Sequence, residues 1–73
     1  MKNWLTYEKG SWHNGVLWES SGYATFDPNA VKTIEDINFK LPEAACLIYF
    51  SGAHYICVKK SREEVIVDIQ SAL

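Results

Sequence analysis

The stretch FSGAHYICVKKSREEVIVD, residues 50–68, decides the fold. It holds the apolar run HYICV and the start of a second, VIVDI, which ends at Ile69; the charged run KKSREE separates them. Both runs are rich in β-branched and aromatic residues, the types that fit a pleated, half-buried surface. A third such run, CLIYF, precedes Ser51-Gly52. The segment therefore predicts three antiparallel strands in a meander, with KKSREE as a solvated hairpin tip. Both faces of these strands are largely apolar. A helix can cover one; the other must meet the rest of the chain or another protein.

The register of the last hairpin decides what His54 and Asp68 can do together, because side chains alternate across a strand. An even-length loop pairs His54 with Ile69 and leaves Asp68 opposite Tyr55, on the other face. An odd loop puts His54 and Asp68 on one face. Three-residue loops usually want Gly at a left-handed position, and KKSREE has none. The even register also lines up Ile56 and Val58 with Val65, Val67 and Ile69, so turn chemistry and patterning both favour separation. If Ser51-Gly52 is likewise a two-residue turn, Cys46 stands opposite Cys57.

Upstream, FDPNAVKTIEDINFKL predicts the helix. Asp27 is a good N-cap and Pro28 suits the first helical position. Ala30, Ile34, Ile37 and Leu41 recur at helical spacing, and Pro42 ends the element. Thr33 with Asp36 offers a later start. The N-terminal third is aromatic, with Trp4, Tyr7, Trp12, Trp18, Tyr23 and Phe26. Asn14-Gly15 tolerates the positive φ angles of a tight turn, so SWHNGVLWE reads as a hairpin. In that register Trp12 faces Leu17, and Trp18 falls on the opposite face with His13. After Ser21-Gly22, GYATF reads as a third strand. The expected fold is a single α+β domain over residues 1–73, a small antiparallel β-sheet with one helix, ordered β-β-β-α-β-β-β.

Composition bounds the function. Seventy-three residues make one small domain, with seven Lys and Arg against nine Asp and Glu. A small core supports a stability of about 3–5 kcal/mol. Nucleic-acid binding requires a basic field, and Lys59-Lys60-Ser61-Arg62 is followed at once by Glu63-Glu64. No apolar run approaches a membrane span, and MKNWLTYEKG has no apolar leader core. The expectation is a cytoplasmic protein that binds neither nucleic acid nor membrane, with its two cysteines kept as thiols. His13, His54, Cys46 and Cys57 lack metal-ligand spacing, and the four glycines fall in separate turns, so neither a metal nor another cofactor is expected.

From Thr33 onward the chain resembles the C-terminal half of papain-like cysteine peptidases, bacteriocin-processing peptidase domains above all. The matching features are TIEDINFKLPEAACLIYF, SGAHYICVKK and EEVIVDIQS. The resemblance implies a strand opening with the catalytic base, His54, and a next strand carrying the orienting acid, Asp68. It departs at the nucleophile. The family carries its cysteine at the start of an N-terminal helix, whereas Cys46 and Cys57 lie inside apolar strand runs. A thiol in such surroundings has a raised pKa and is inert.

The reading that remains is a non-enzymatic protein-binding module. By analogy with small acidic domains of phages and mobile elements, it would be an inhibitor of a host protein. Trp and Tyr are enriched at binding hot spots. The expected patch is Trp12, His13, Trp18 and Tyr23, with Glu19 and Glu8 at its rim. A homodimer through a strand edge or the open sheet face is a further expectation. The alternative is a hydrolase half-domain using His54 and Asp68.

Overall fold

The computed structural model describes residues 3–13, 17–37 and 45–73, with backbone alone for Trp12 and His13. Strands β1 (Leu5–His13) and β2 (Leu17–Phe26) form a hairpin. A single 3₁₀ turn, Pro28–Ala30, leads to β3 (Thr33–Asp36), β4 (Cys46–Tyr49), β5 (Tyr55–Val58) and one helix, α1 (Arg62–Ala72). The strands make one antiparallel five-stranded sheet in the order β2-β1-β5-β4-β3. The fold is α+β with one antiparallel sheet and one helix, as the sequence predicts. The element order is not: helix and strand are exchanged between two segments.

The first correction is at VIVDI, which is helical. Ser61 adopts the extended N-cap conformation, and its Oγ accepts from the Glu64 amide at 3.1 Å. Glu63 and Glu64 occupy the first turn, where the helix dipole favours acidic side chains. The amide of Arg62 donates to Asp36 Oδ1 at 3.1 Å, and its Nε donates to the Ile34 carbonyl at 3.1 Å. The start of α1 is thus tied to β3. Val65 is fully buried and Ile69 packs on the same core, one helical turn on.

The second correction is at residues 27–41. Asp27 and Pro28 do act as cap and first position, with Asp27 Oδ1 accepting from the Asn29 amide at 2.9 Å. The turn lasts three residues and ends at an extended Val31. Val31, Thr33 and Ile34 are β-branched and favour extended backbone. A two-stranded β4–β5 hairpin would be marginal alone, and β3 supplies its third strand. The three-stranded meander is therefore real, but it runs from Thr33 to Val58. The Asn14-Gly15 turn and the stop at Pro42 lie outside the described residues.

The third correction concerns GYATF, which is the second half of β2 rather than a separate strand. Glu8 pairs with Tyr23 and Gly10 with Ser20, so Ser21 and Gly22 together stand opposite Lys9. That is a β-bulge. Gly22 takes φ 108°, which a residue without Cβ adopts freely.

Both hairpin registers differ from the two-residue turns expected, and each shift moves side chains to the other face. His13 pairs with Leu17, so position 12 stands opposite Trp18, not Leu17. Between β4 and β5, the Phe50 amide donates to the His54 carbonyl at 2.9 Å. Cys46 consequently pairs with Val58, and Cys57 with Leu47. The cysteines are free thiols rather than cross-strand neighbours.

The core lies between the sheet and α1. It comprises Tyr7, Phe26, Cys46, Ile48, Val58 and Val65. The hairpin joins the meander through one bridge, Lys9 to Val58. Phe26, tilted against Tyr7 at 5.7 Å within the hairpin, reinforces that seam through its edge-on contact with Phe50 at 5.2 Å. The molecule is elongated, 39 × 21 × 20 Å.

Candidate binding surface

Three regions carry the residues singled out by the sequence. The first is the hairpin. Beyond Lys9 its described residues pair only with each other. Leu17 and Tyr23 are 64% and 70% exposed. Glu19 is exposed beside them, and Trp18 is half-buried. Trp18 Nε1 donates to Glu8 Oε1 at 3.4 Å, so a residue expected at the rim orients the indole. The ring lies across Gly10, where a Cβ would stand 2.9 Å from Trp18 Cζ2 and 2.2 Å from the Glu19 carbonyl oxygen. Only glycine permits that approach. Trp12 and His13 are placed in register opposite Trp18 and Leu17. Trp18, Glu19 and Tyr23 are thus gathered on one strand.

The second region is His54 and Asp68. His54 is exposed where β5 is entered, its carbonyl closing the β4–β5 turn. Asp68 lies on α1, not on a neighbouring strand, because the segment that carries it is helical. Its Oδ2 accepts from the Tyr7 hydroxyl at 2.6 Å, a short, charge-assisted bond. Lys60 Nζ stands 5.4 Å from the centre of the Tyr7 ring. The carboxylate thus fastens the helix to β1. Burial, then the bond to Asp68 and its charge, push the Tyr7 phenol well above the ordinary tyrosine range.

The third region is the sheet face turned away from α1. Cys46, Ile48, Ile56 and Val58 point to the core; Leu47, Tyr49, Tyr55 and Cys57 alternate with them and point away. Tyr49 and Tyr55 are register partners with ring centres 5.5 Å apart, and Tyr55 is 57% exposed. Between this face and the bulged middle of the hairpin runs a groove of about 520 Å³. Ile37, Leu47, Tyr55, Ile56 and Cys57 line it from the meander; Lys9, Ser11 and Ser21 line it from the hairpin. The sequence reading missed Lys9 and did not mark Tyr55. Its observation that both strand faces are apolar was the signal that could have found Tyr55; no local pattern marks Lys9.

The environment of both thiols favours the protonated form. Burial, then the nearby Asp36 carboxylate, pushes Cys46 up to about 12, and burial raises Cys57. Among the described residues, no group of three or more His, Cys, Asp or Glu side chains could hold a metal ion. Nor is any described helix long and apolar enough to cross a membrane. No family model, no curated protein and no solved structure matches the chain.

Proposed function

We propose that the protein is a non-enzymatic binding module that engages another protein through the distal β1–β2 hairpin. The observation that carries this reading is the hairpin's construction. Among the described residues its outer half pairs only with itself and exposes Leu17, and Tyr23 is exposed just inside the bulge. Large apolar side chains at such a site are a cost to an isolated monomer and an anchor for a partner. The contact set is Trp12, His13, Trp18, Glu19 and Tyr23. The small acidic chain fits an inhibitor of a host protein, of the kind carried by phages and mobile elements.

The test is affinity capture of tagged protein from a lysate of its native host, with Trp18→Ala and Tyr23→Ala alongside. A single partner retained at near-stoichiometric yield and lost with either variant supports the hairpin as the contact. A partner retained equally by both variants removes the hairpin from the interface.

A further inference from the structure

The groove beneath the hairpin carries an unbalanced charge. Lys9 is half-buried in the β-bulge. Its ammonium has only long contacts, 3.5 Å to the Ser21 carbonyl and 3.4 Å to Ser21 Oγ, and no carboxylate partner among the described residues. Among the described residues that line the groove, Lys9 is the only charged one. Cys57 stays a neutral thiol because burial raises its pKa. Tyr55 and Leu47 line the same groove as Lys9, and Tyr49 extends its apolar side through its ring contact with Tyr55. A volume of about 520 Å³ suits a few side chains, within the usual range for ligand clefts.

We propose that this groove receives an extended segment of the partner protein that presents apolar or aromatic side chains and one carboxylate. The apolar side chains lie on Leu47 and Tyr55; the carboxylate pairs with Lys9. The inference rests on the protein-binding reading and extends it, from the hairpin to the sheet face beneath, by naming the chemistry of what is bound. Charge complementarity selects the occupant: a neutral apolar segment would leave Lys9 unpaired on desolvation, and a basic one would be repelled by it.

The experiment uses the full chain, labelled with ¹⁵N, and two capped peptides, acetyl-Leu-Phe-Asp-Leu-amide and acetyl-Leu-Phe-Lys-Leu-amide. Amide shifts are followed by NMR in the native protein, in Lys9→Glu and in Tyr55→Ser. Neither residue belongs to the core, so both variants keep the fold, and their spectra check it. The acidic peptide is expected to shift Ser11, Leu47, Tyr55 and Cys57, and to bind roughly fivefold more tightly than the basic one, as one partly exposed ion pair supplies. Lys9→Glu should reverse that preference, and Tyr55→Ser should weaken both peptides. Absence of groove shifts at millimolar peptide, or a preference unchanged in Lys9→Glu, overturns the proposal. So do nuclear Overhauser contacts from Phe39 or Leu41 to Tyr55 in the free protein, because the chain's own residues then fill the groove. A captured partner lost with Trp18→Ala but kept by Lys9→Glu and Tyr55→Ser would leave the binding function standing without the groove. Peptide binding in the groove with an empty capture would uphold the groove and remove the hairpin reading.

Discussion

Tyr7 joins the hairpin, the helix and the loop before it. Its ring is buried against Phe26, its hydroxyl holds Asp68 on α1, and Lys60 lies over its face. It shares with Cys46 a property that makes stability depend on alkaline pH. Both groups are neutral when protonated, and burial raises both pKa values above those of an unfolded chain. The folded state therefore keeps protons that the unfolded state releases. Their stabilisation is complete below the unfolded thiol value of 9.0 and is lost as pH rises, through about 12 for Cys46. The slope is at most about 1.4 kcal/mol per pH unit for each group. Urea midpoints measured from neutral pH upward should hold steady to about pH 8.5 and fall beyond it. The fall should be shallower in Cys46→Ala, and shallower above about pH 10 in Tyr7→Phe. An equal slope in all three proteins would show that neither group retains its proton through folding. The role of Tyr7 was not legible in the sequence, because its partner Asp68 lies 61 positions away on a segment that reads as a strand.

Among the elements, α1 shows how close the two readings of one segment can be. Val65, Val67 and Ile69 alternate as a strand requires, while Val65 and Ile69 also lie one helical turn apart. The β-branched content favours the strand. Two features reverse it. Ser61 and Glu64 are spaced as a helix-capping pair, a signal present in KKSREE all along. Asp36 and Ile34 then anchor Arg62 from another strand, which no local pattern reveals. Ser61→Ala should lower stability by about 1 kcal/mol, the usual worth of such a cap, in urea denaturation. A loss much smaller than that would assign the helix start to Asp36 rather than to Ser61. The segment after Asp27-Pro28 is the converse case: its cap is correctly visible, but a cap specifies a start and not a length. The hairpins illustrate a third limit. Their strands were legible, yet one additional residue in each connection moved Cys57 away from Cys46 and brought Trp18 opposite position 12. Counting apolar residues does not fix that number.

At the scale of the whole molecule, the sheet is a local hairpin and a local meander joined at one bridge. The antiparallel class was legible because it follows from alternation; the helix was not, because its segment alternates as a strand does. The strand order was not, because the β1–β5 contact spans most of the chain. That seam should also divide the molecule in hydrogen exchange. Amides of β4, β5 and the middle of α1 should exchange only near the global unfolding free energy. Those of Ser11 and of residues 18–20 should exchange through a smaller opening, since their ladder is two strands wide and lacks core contacts. Equal protection in both sets would mean that the outer hairpin is held by more than its own ladder. The candidate surface was partly legible in the same way. Trp18, Glu19 and Tyr23 were marked by residue type, whereas Lys9 became visible only when the bulge placed it beside the meander's open face.

The core draws on the hairpin only at its base, through Leu5, Tyr7 and Phe26. None of the described residues beyond Lys9 fills space in the interior. The fold therefore sets almost no condition on the side chains there, beyond the glycine on which Trp18 lies. An outer hairpin built this way can change its residues one at a time without endangering the domain beneath it. Natural variation in that half would record the history of whatever it touches, while variation in the remainder would record the upkeep of the core.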